Sequence, residues 1–544
     1  MSRYFLWMLP VSLLLGAVLS FLQPGNWLVG WLAFSPLLFL SFYLFTILHR
    51  WAGGGGMLAW MIILTFALRL FVGVGVYLIL PIDGYNEPDD RSGFIFTDAH
   101  RRDDQAWELA QSDEPILSAF NKTYRTDQYG GLLAFTSLAY RALSPDAHRV
   151  FLLILLSAIV AALGIPFFWR AARQAFGEKV ALAAGWMLVL YPESVLLGSA
   201  AMREPYLITF GALALWGFVA WQLSERHSPH RGSNHQERSR ILPGGERAFL
   251  PHSGMIWIGL GLAGMLLVSP VVALVTLVIL TGWWWMAREQ GRFSWIAFFA
   301  LVLVFIVGLV LLVLALNRQG NFGGGPLGVI DAWFRESVKW VVFQLERDSG
   351  WVQKLFVEMP EWLHLPFVTV YGILQPVLPA VFFEPTTLTW RIIGIFRALG
   401  WYLLLPLLLY AFIAAWKNED VRERRLWLWI TVIAWMWIIL TALRGGGDQW
   451  DNPRYRAILL LWQVLASGYA LTCFRTRSDS WLVRIFLVEG IFLAFFTQWY
   501  LSRYLQIGEQ LPFGWMIALI IGSSLLVLAG GEWWDHHQHR KLAA

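Results

Sequence analysis

The chain has 544 residues, of which 58% are hydrophobic and 14% are charged, and its mean hydropathy is +0.56. Soluble domains carry roughly 25% charged residues, so this composition excludes a soluble protein. The formal charge of +5 does not indicate a nucleic-acid partner, because basic residues in membrane proteins usually anchor the topology. The single cysteine, Cys473, excludes an intrachain disulfide and a Cys/His zinc site.

Apolar runs long enough to cross a membrane recur along the chain. A helix needs roughly 20 residues to cross a hydrocarbon core, and backbone amides in lipid must be paired within the segment. We therefore predict an all-α, polytopic membrane protein with about 14 transmembrane helices. The predicted spans lie near 5–22, 27–47, 57–81, 148–168, 179–197, 206–222, 254–269, 271–287, 294–316, 394–416, 426–443, 457–473, 482–501 and 513–531.

Spans and loops divide the chain into six predicted segments. In chain order they are an N-terminal two-helix segment (1–56), a core with an acidic first outer loop (57–222), a basic cytoplasmic loop (223–253), middle helices (254–316), an outer loop with an amphipathic helix (317–393) and C-terminal helices with an Arg-Tyr outer turn (394–544). The amphipathic helix is indicated by Phe334, Val338, Val341 and Leu345. It lies either along the membrane interface or against the protein's own loops.

Basic residues in the short turns set the orientation. Turns that hold Arg50, Arg170, Arg292 and Arg425 alternate with turns that are poorer in basic residues. The positive-inside rule then places both termini in the cytoplasm of a multi-pass plasma-membrane protein, with the first helix a retained span. The two long loops, about 82–147 and 317–393, fall on the outer side. Long loops commonly form binding and catalytic sites.

Three carboxylates stand out in the first outer loop. Asp103 and Asp104 lie in DDQAWELA, which predicts a short surface helix, and Asp98 lies just upstream. Near a helix start such carboxylates would be stabilised by the helix dipole. One could accept a proton from a hydroxyl while the other orients it or holds a divalent cation. The alternative is a solvated loop with capping aspartates.

A second acidic position follows in SAAMREPYLITF. Arg203 and Glu204 form a turn between two spans, and Pro205 suits the start of the next helix. Glu204 would then face the Asp103 region from the outer end of that helix. The alternative is an exposed ion pair or helix cap, which would contribute little.

Arginines are concentrated in a late outer turn, RGGGDQWDNPRYR. Arg444, Arg454 and Tyr455 occur there beside Asp448 and Asp451. Arginine forks match phosphate oxygens, so a lipid phosphate is one partner they could bind. A network of Arg–Asp pairs is the equal alternative.

Arg69 lies inside the apolar run MIILTFALRLFVGVGVYLIL. A charge at that depth costs about 2.5–3.5 kcal/mol on insertion scales. It is therefore expected to bind a polar headgroup or to pair with a carboxylate.

The order of these features resembles the GT-C superfamily of polyprenyl-phosphate-sugar-dependent glycosyltransferases, which includes protein O-mannosyltransferases and aminoarabinose transferases. The similar stretches are DDQAWELA, the run from HRVFLLILL to SAAMREPYLITF, and NPRYRAILLLWQVLASGYAL. They cover residues 57–222 and, more loosely, 444–473. The chain departs from the family pattern by two extra leading spans and by Asp-Asp-Gln in place of Asp-Glu.

The resemblance implies an enzyme that transfers a sugar from a polyprenyl-phosphate donor to an extracytoplasmic acceptor by an inverting displacement. Asp103 would match the base, with Asp104 its neighbour and Asp98 a rival. Glu204, beside Arg203, would match the second acidic position. Arg454 would bind the donor phosphate, and Tyr455, Arg444 and Arg69 are further candidates for that role. A divalent cation, if one is used, would lie at Asp103 and Glu204.

Other classes of protein remain open at this point. A transporter or flippase of lipid-linked glycans would show internal repeats and midplane polar residues, whereas the polar residues here gather in the outer loops. An O-antigen ligase or polymerase would also use outer arginines, but the early acidic pair speaks against it. A membrane scaffold would have no need of clustered carboxylates.

Overall fold

The computed structural model describes residues 3–227 apart from 125 and 128, residues 251–287, residues 360–543 apart from 478, and single positions at 303, 306, 310, 313 and 328. Throughout these residues the regular structure is helical, as predicted, and no strand is found. The predicted span at 294–316 and the amphipathic helix of Phe334, Val338, Val341 and Leu345 lie outside the described residues, as does most of the basic loop 223–253.

The chain forms two compact units. The first comprises Met1–Ile82, Asn86–Ser337 and Ile458–Leu461, and the second comprises Asp83–Tyr85, Val338–Ala457 and Trp462–Ala544. The predicted N-terminal segment 1–56 and core 57–222, apart from Asp83–Tyr85, therefore lie in one unit.

Helices of the first unit run in chain order through both spans and loops. They are α1 (Arg3–Phe21), α2 (Trp27–Trp51), α3 (Gly56–Asp83), α4 (Pro88–Arg91), α5 (Thr97–Gln111), α6 (Gly131–Leu143), α7 (Val150–Phe176), α8 (Glu178–Leu190), α9 (Pro192–Ser199), α10 (Glu204–His227), α11 (Pro251–Val268) and α12 (Pro270–Ala287), with 3₁₀ turns at Ile116–Phe120 and Lys122–Tyr124.

The second unit contains eight described helices. They are α13 (Glu361–Leu374), α14 (Leu378–Phe383), α15 (Leu388–Trp416), α16 (Val421–Gly445), α17 (Asp451–Ala457), α18 (Leu460–Arg477), α19 (Trp481–Tyr504) and α20 (Phe513–Ala543). The side chain of Asp420 caps α16 by accepting hydrogen bonds from the amides of Arg422 and Glu423, which satisfies two of the amides that a helix start leaves unpaired.

Eight described helices are long and apolar enough to cross a membrane, and two bent pairs raise that number to ten. The bent pairs are α8–α9, with a 51° bend, and α17–α18, with a 76° bend. Three further predicted spans, near 5–22, 254–269 and 271–287, appear as shorter apolar helices. This is a polytopic helical membrane protein, and the count of about 14 spans stays a prediction.

Close helix packing in the first unit depends on glycine. Helix α10 packs along α7 and α11. A Cβ at Gly254 would lie 2.8 Å from the backbone oxygen of Gly217, and one at Gly261 would lie 2.7 Å from the backbone nitrogen of Ala214. Small residues at such positions let helix backbones approach closely in a membrane, where van der Waals packing drives helix association. These helices hold the turn that ends at Glu204.

Candidate functional site

Helix α5 gives the two adjacent aspartates opposite environments. Its buried positions include Ala99, Asp103, Ala106 and Ala110, which recur at the spacing of one helix face. Asp104 lies on the other face, and its side chain is 61% exposed. The predicted helix is confirmed, but its predicted start at the aspartates is wrong. Helix α5 begins at Thr97, more than one turn earlier, so the dipole at its N-terminus does not act directly on either aspartate.

Asp103 is the centre of a buried cluster that joins three segments. Its side chain is 0% exposed. Oδ1 accepts a hydrogen bond of 2.5 Å from the hydroxyl of Tyr140 in α6, and Oδ2 lies 2.8 Å from Nε2 of His148. The ring of Trp107 stacks on His148 with centroids 5.0 Å apart. Burial and the charge of Asp103 raise the pKa of Tyr140 well above its usual value, so the hydroxyl keeps its proton and donates it.

Asp104 belongs to a second, more exposed cluster. Its Oδ2 lies 3.5 Å from Nε2 of His100, one turn earlier on α5. Nδ1 of His100 lies 2.6 Å from Oδ1 of Asp89, and Phe94 stacks on the ring. Burial alone would raise the pKa of Asp89, but hydrogen bonds from Thr97 and His100 outweigh it and leave the pKa below its usual value. The ionised Asp89 thus orients the imidazole toward Asp104.

Asp98 has the least restricted position of the three predicted aspartates. It lies in the first turn of α5 with an exposed side chain. A carboxylate there interacts favourably with the helix dipole, an effect of about 0.3–1 kcal/mol.

Glu204 starts α10, as predicted, and Pro205 follows it. The alternative of an exposed ion pair does not apply, because the Glu204 side chain is 0% exposed. Its Oε1 lies 3.9 Å from Nε of Arg203, and the Arg203 guanidinium lies 5.9 Å from the ring centroid of Tyr129. A carboxylate held at a helix start is stabilised by the amides there.

Arg102 connects the two acidic positions. Its Nη1 donates a hydrogen bond of 2.7 Å to the backbone oxygen of Ala201, and its Nε lies 3.8 Å from Oδ1 of Asp127. Since Arg102 precedes Asp103 and Ala201 lies in the turn before Glu204, helix α5 and that turn are in direct contact. The structure therefore brings the predicted first and second acidic positions into one part of the first unit.

Arg69 is buried in the same unit, where a serine hydroxyl and backbone carbonyls accept hydrogen bonds from it. Its Nη2 donates 2.7 Å to Oγ of Ser194, and the guanidinium also reaches the backbone oxygens of Leu188 and Val189 at 3.5 and 3.4 Å. Pro192 has no amide hydrogen to give the Leu188 oxygen, so the break between α8 and α9 leaves acceptors that Arg69 fills. No described carboxylate pairs with Arg69. Its role in donor-phosphate binding stays a prediction.

The late arginine turn lies in the second unit and contains an Arg–Asp pair, one of the two predicted kinds of contact. Phosphate binding there stays a prediction. Asp448 accepts hydrogen bonds from two backbone amides at the start of α17. Nη1 of Arg454 lies 3.3 Å from Oδ1 of Asp451. The guanidinium groups of Arg444 and Arg454 lie 4.9 and 5.1 Å from the ring centroid of Tyr455. Two arginines thus lie against one tyrosine ring, and Arg454 also has a carboxylate partner.

Arg456 donates hydrogen bonds to backbone carbonyls in the second unit. It is 1% exposed, its guanidinium lies over the ring of Trp401, and it donates to the backbone oxygens of Ile373 and Gln375 at 3.3 and 3.1 Å. These contacts differ in kind from those of Arg454, since they are made to neutral carbonyls and an aromatic face.

The sequence did not single out His148, Tyr140, His100 or Asp89. The four-residue spacing between His100 and Asp104 was a readable signal, whereas nothing in the local pattern marks His148 as a partner of Asp103. In the part of the chain that the structure describes, no three His, Cys, Asp or Glu side chains form a metal-binding group. The divalent cation that the sequence allowed at Asp103 and Glu204 stays a prediction.

Comparison with known proteins gives a distant match. No protein-family model and no curated protein matches the chain. Among solved structures, it is similar to the archaeal oligosaccharyltransferase AglB from Archaeoglobus fulgidus, determined in complex with an inhibitory peptide and a dolichol-phosphate. The sequence identity is 14%, the TM-score is 0.35, and the match covers 87% of this chain and 55% of that one. The chain thus spans about half the length of AglB.

Proposed function

We propose that this membrane protein is a glycosyltransferase that moves a sugar from a polyprenyl-phosphate donor to an acceptor on the extracytoplasmic side. One observation carries the proposal. Two carboxylates that the sequence put forward from separate loops, Asp103 and Glu204, are both buried, and Arg102 ties their segments together. Buried carboxylates are costly to keep unless they are paired or functional.

The chemistry that such a site supports is a single displacement. An acceptor hydroxyl is a weak nucleophile at neutral pH, so a group that takes its proton as the new bond forms lowers the barrier. The phosphate then leaves with the electron pair of the bond to the anomeric carbon, and the configuration at that carbon is inverted. Positive charge stabilises the leaving phosphate. We assign this last role to Arg454, assisted by Tyr455 and Arg444, in accordance with the resemblance to GT-C enzymes.

The test is donor consumption by the full-length protein in proteoliposomes. A panel of radiolabelled polyprenyl-phosphate monosaccharides is supplied together with a membrane extract as the source of acceptors, and free polyprenyl phosphate and labelled product are measured. Asp103→Asn and Glu204→Gln should each lower transfer by about 100-fold or more, as expected for loss of acid–base or charge-stabilising groups.

Glu108→Gln is the matched control, because Glu108 is an exposed carboxylate on the same helix as Asp103. It should transfer sugar like the unmodified protein. Movement of the donor across the bilayer without its consumption would instead identify a flippase. Full transfer by both Asp103→Asn and Glu204→Gln would overturn the assignment of the site.

A further inference from the structure

Access to Asp103 is closed from the solvent side by its own partners. Tyr140 and His148 each lie against one of its two oxygens. An acceptor hydroxyl could reach neither oxygen without displacing one of them. His148 is different, because its side chain is 28% exposed. It is the ionisable side chain of this cluster that solvent reaches.

The imidazole of His148 is held in one orientation. Trp107 stacks on it with an interplanar angle of 12°, and Tyr140 meets it edge to face at 75°. We assign the proton of the neutral ring to Nε2, because this nitrogen lies 2.8 Å from Oδ2 of Asp103. Nδ1 then carries the lone pair that can accept a proton. A buried carboxylate behind a histidine stabilises the imidazolium that forms, which is the division of labour in serine-protease triads.

The backbone around His148 is clamped by the turn between α1 and α2. Arg149 is 1% exposed and donates to both oxygens of Asp146, at 2.6 and 2.8 Å, and to the backbone oxygen of Asn26 at 2.8 Å. Asp146 in turn accepts from the Asn26 amide at 2.9 Å. Gly25 adopts φ +91°, and a Cβ there would lie 2.9 Å from Asp146. The turn of the N-terminal helical pair therefore fixes the segment that carries His148.

We propose that His148 is the proton acceptor of this site and that Asp103 is the residue that positions it. The inference rests on the proposed function. In the reaction, the acceptor O–H bond breaks, its proton goes to Nδ1 of His148, and the oxygen forms the bond to the anomeric carbon. The sugar–phosphate bond breaks and its electron pair leaves on the phosphate. The imidazolium, paired with Asp103, later returns its proton to solvent.

Ionisable groups surround the imidazole on three elements. Asp103 faces it from α5 and Tyr140 faces it from α6, and Tyr77 of α3 interacts electrostatically with Asp103. On its own segment, Arg149 and Asp146 pair with each other.

The experiment measures kcat and the donor KM for the full-length protein, with the lipid-linked sugar that the unmodified protein consumes. His148→Gln keeps an N–H for Asp103 but has no basic nitrogen. It should lower kcat by about 100-fold or more and change the donor KM little. His148→Gly should regain part of its activity when imidazole is added. His49→Gln is the control, because His49 has a single described contact, with the backbone oxygen of Gly55. It should retain the rate of the unmodified protein.

Two outcomes would overturn the proposal while leaving the proposed function intact. One is a folded His148→Gln protein that keeps the rate while Asp103→Asn loses it, which would make Asp103 the base. The other is a folded His148→Gly protein that imidazole does not restore. An unmodified protein that consumes no donor would overturn the proposed function itself, and the role of His148 with it.

Discussion

The acidic site of the first unit and the arginine turn of the second use buried charge differently. Around Asp103 and Asp104, each carboxylate faces an imidazole, so the charged groups lie next to groups that can take or give a proton. In the arginine turn, Arg456 donates hydrogen bonds to backbone carbonyls and lies over an aromatic ring. Burial alone therefore does not reveal the role of a charged residue. Its partners do: groups that exchange protons indicate chemistry, whereas carbonyls and aromatic rings indicate a structural role.

Arg454 lies between these two cases. Its partners include the ring of Tyr455 and the carboxylate of Asp451, which is itself 40% exposed. An incoming phosphate could compete with such a partner, since charge-assisted bidentate contacts with phosphate are stronger than a part-exposed ion pair. The comparison thus predicts different consequences for two arginines only two positions apart.

The largest effect is expected at Arg456. Arg456→Ala removes a buried cation and leaves the carbonyls of Ile373 and Gln375 without their donor, and unsatisfied buried groups cost about 1–3 kcal/mol each. We expect a loss of about 3 kcal/mol in the free energy of unfolding, measured by denaturation in detergent. A protein as stable as the unmodified chain would show that the carbonyls find other donors, and the proposed difference between Arg456 and Arg454 would disappear.

The next effect concerns donor binding at Arg454. Arg454→Ala should lower kcat/KM for the lipid-linked sugar by roughly thirtyfold, or about 2 kcal/mol, mainly through a higher donor KM. Its stability should fall less than that of Arg456→Ala. Arg454→Lys keeps the charge without the fork, so an intermediate rate is expected. Unchanged kinetics in both variants would place Arg454 with Arg456 as a structural residue.

A smaller effect is predicted for the clamp that holds His148. The hydrogen bond from Arg149 lowers the pKa of Asp146 to about 2, so this carboxylate contributes stability above its ordinary pKa and the contribution is lost as the pH falls toward 2. Asp146→Asn should cost about 1 kcal/mol near neutral pH, because the pair is partly exposed. The difference between the two proteins should shrink as the pH is lowered below about 4. A difference that does not vary with pH would show that the charge of Asp146 is unimportant.

The smallest effect is expected at Asp98. Asp98→Asn removes an exposed charge from the first turn of α5 and should cost a few tenths of a kcal/mol in stability. Transfer should stay within about twofold, since acid–base groups contribute at least 100-fold and Asp98 lies outside both histidine clusters. A large loss of transfer would instead make Asp98 the base and would overturn the role proposed for His148.

Local sequence patterns were sufficient to predict the helical architecture and helix α5. Apolar runs dictate spans because lipid offers no partners for backbone amides, and the aromatic and aliphatic residues of DDQAWELA dictate a helix. The spacing of Ala99, Ala106 and Ala110 also carried the register that puts Asp103 inward. This register places Asp103 in the middle of α5, whereas the acidic pair alone suggested a helix start there.

The partners of the polar residues were beyond local patterns. His148 meets Asp103 across more than forty intervening residues, and Arg69 meets Leu188, Val189 and Ser194 across more than a hundred. A polar headgroup or a carboxylate was the expected partner of Arg69, and a proline break in another helix supplies carbonyls to it. Such long-range pairings depend on how the helices pack, which residue spacing along a single segment does not specify.

Arg69 also has a consequence for biosynthesis. Its acceptor at Val189 lies 120 residues later in the chain, which at about 5–20 residues per second takes roughly 6–24 s to synthesise. Throughout that interval helix α3 sits in the bilayer with an uncompensated guanidinium, a cost of about 2.5–3.5 kcal/mol that its apolar neighbours must offset. In nascent chains stopped before Leu188, helix α3 should therefore be inserted in the membrane in a smaller fraction of molecules than in longer chains. Replacing Arg69 by leucine should abolish that difference.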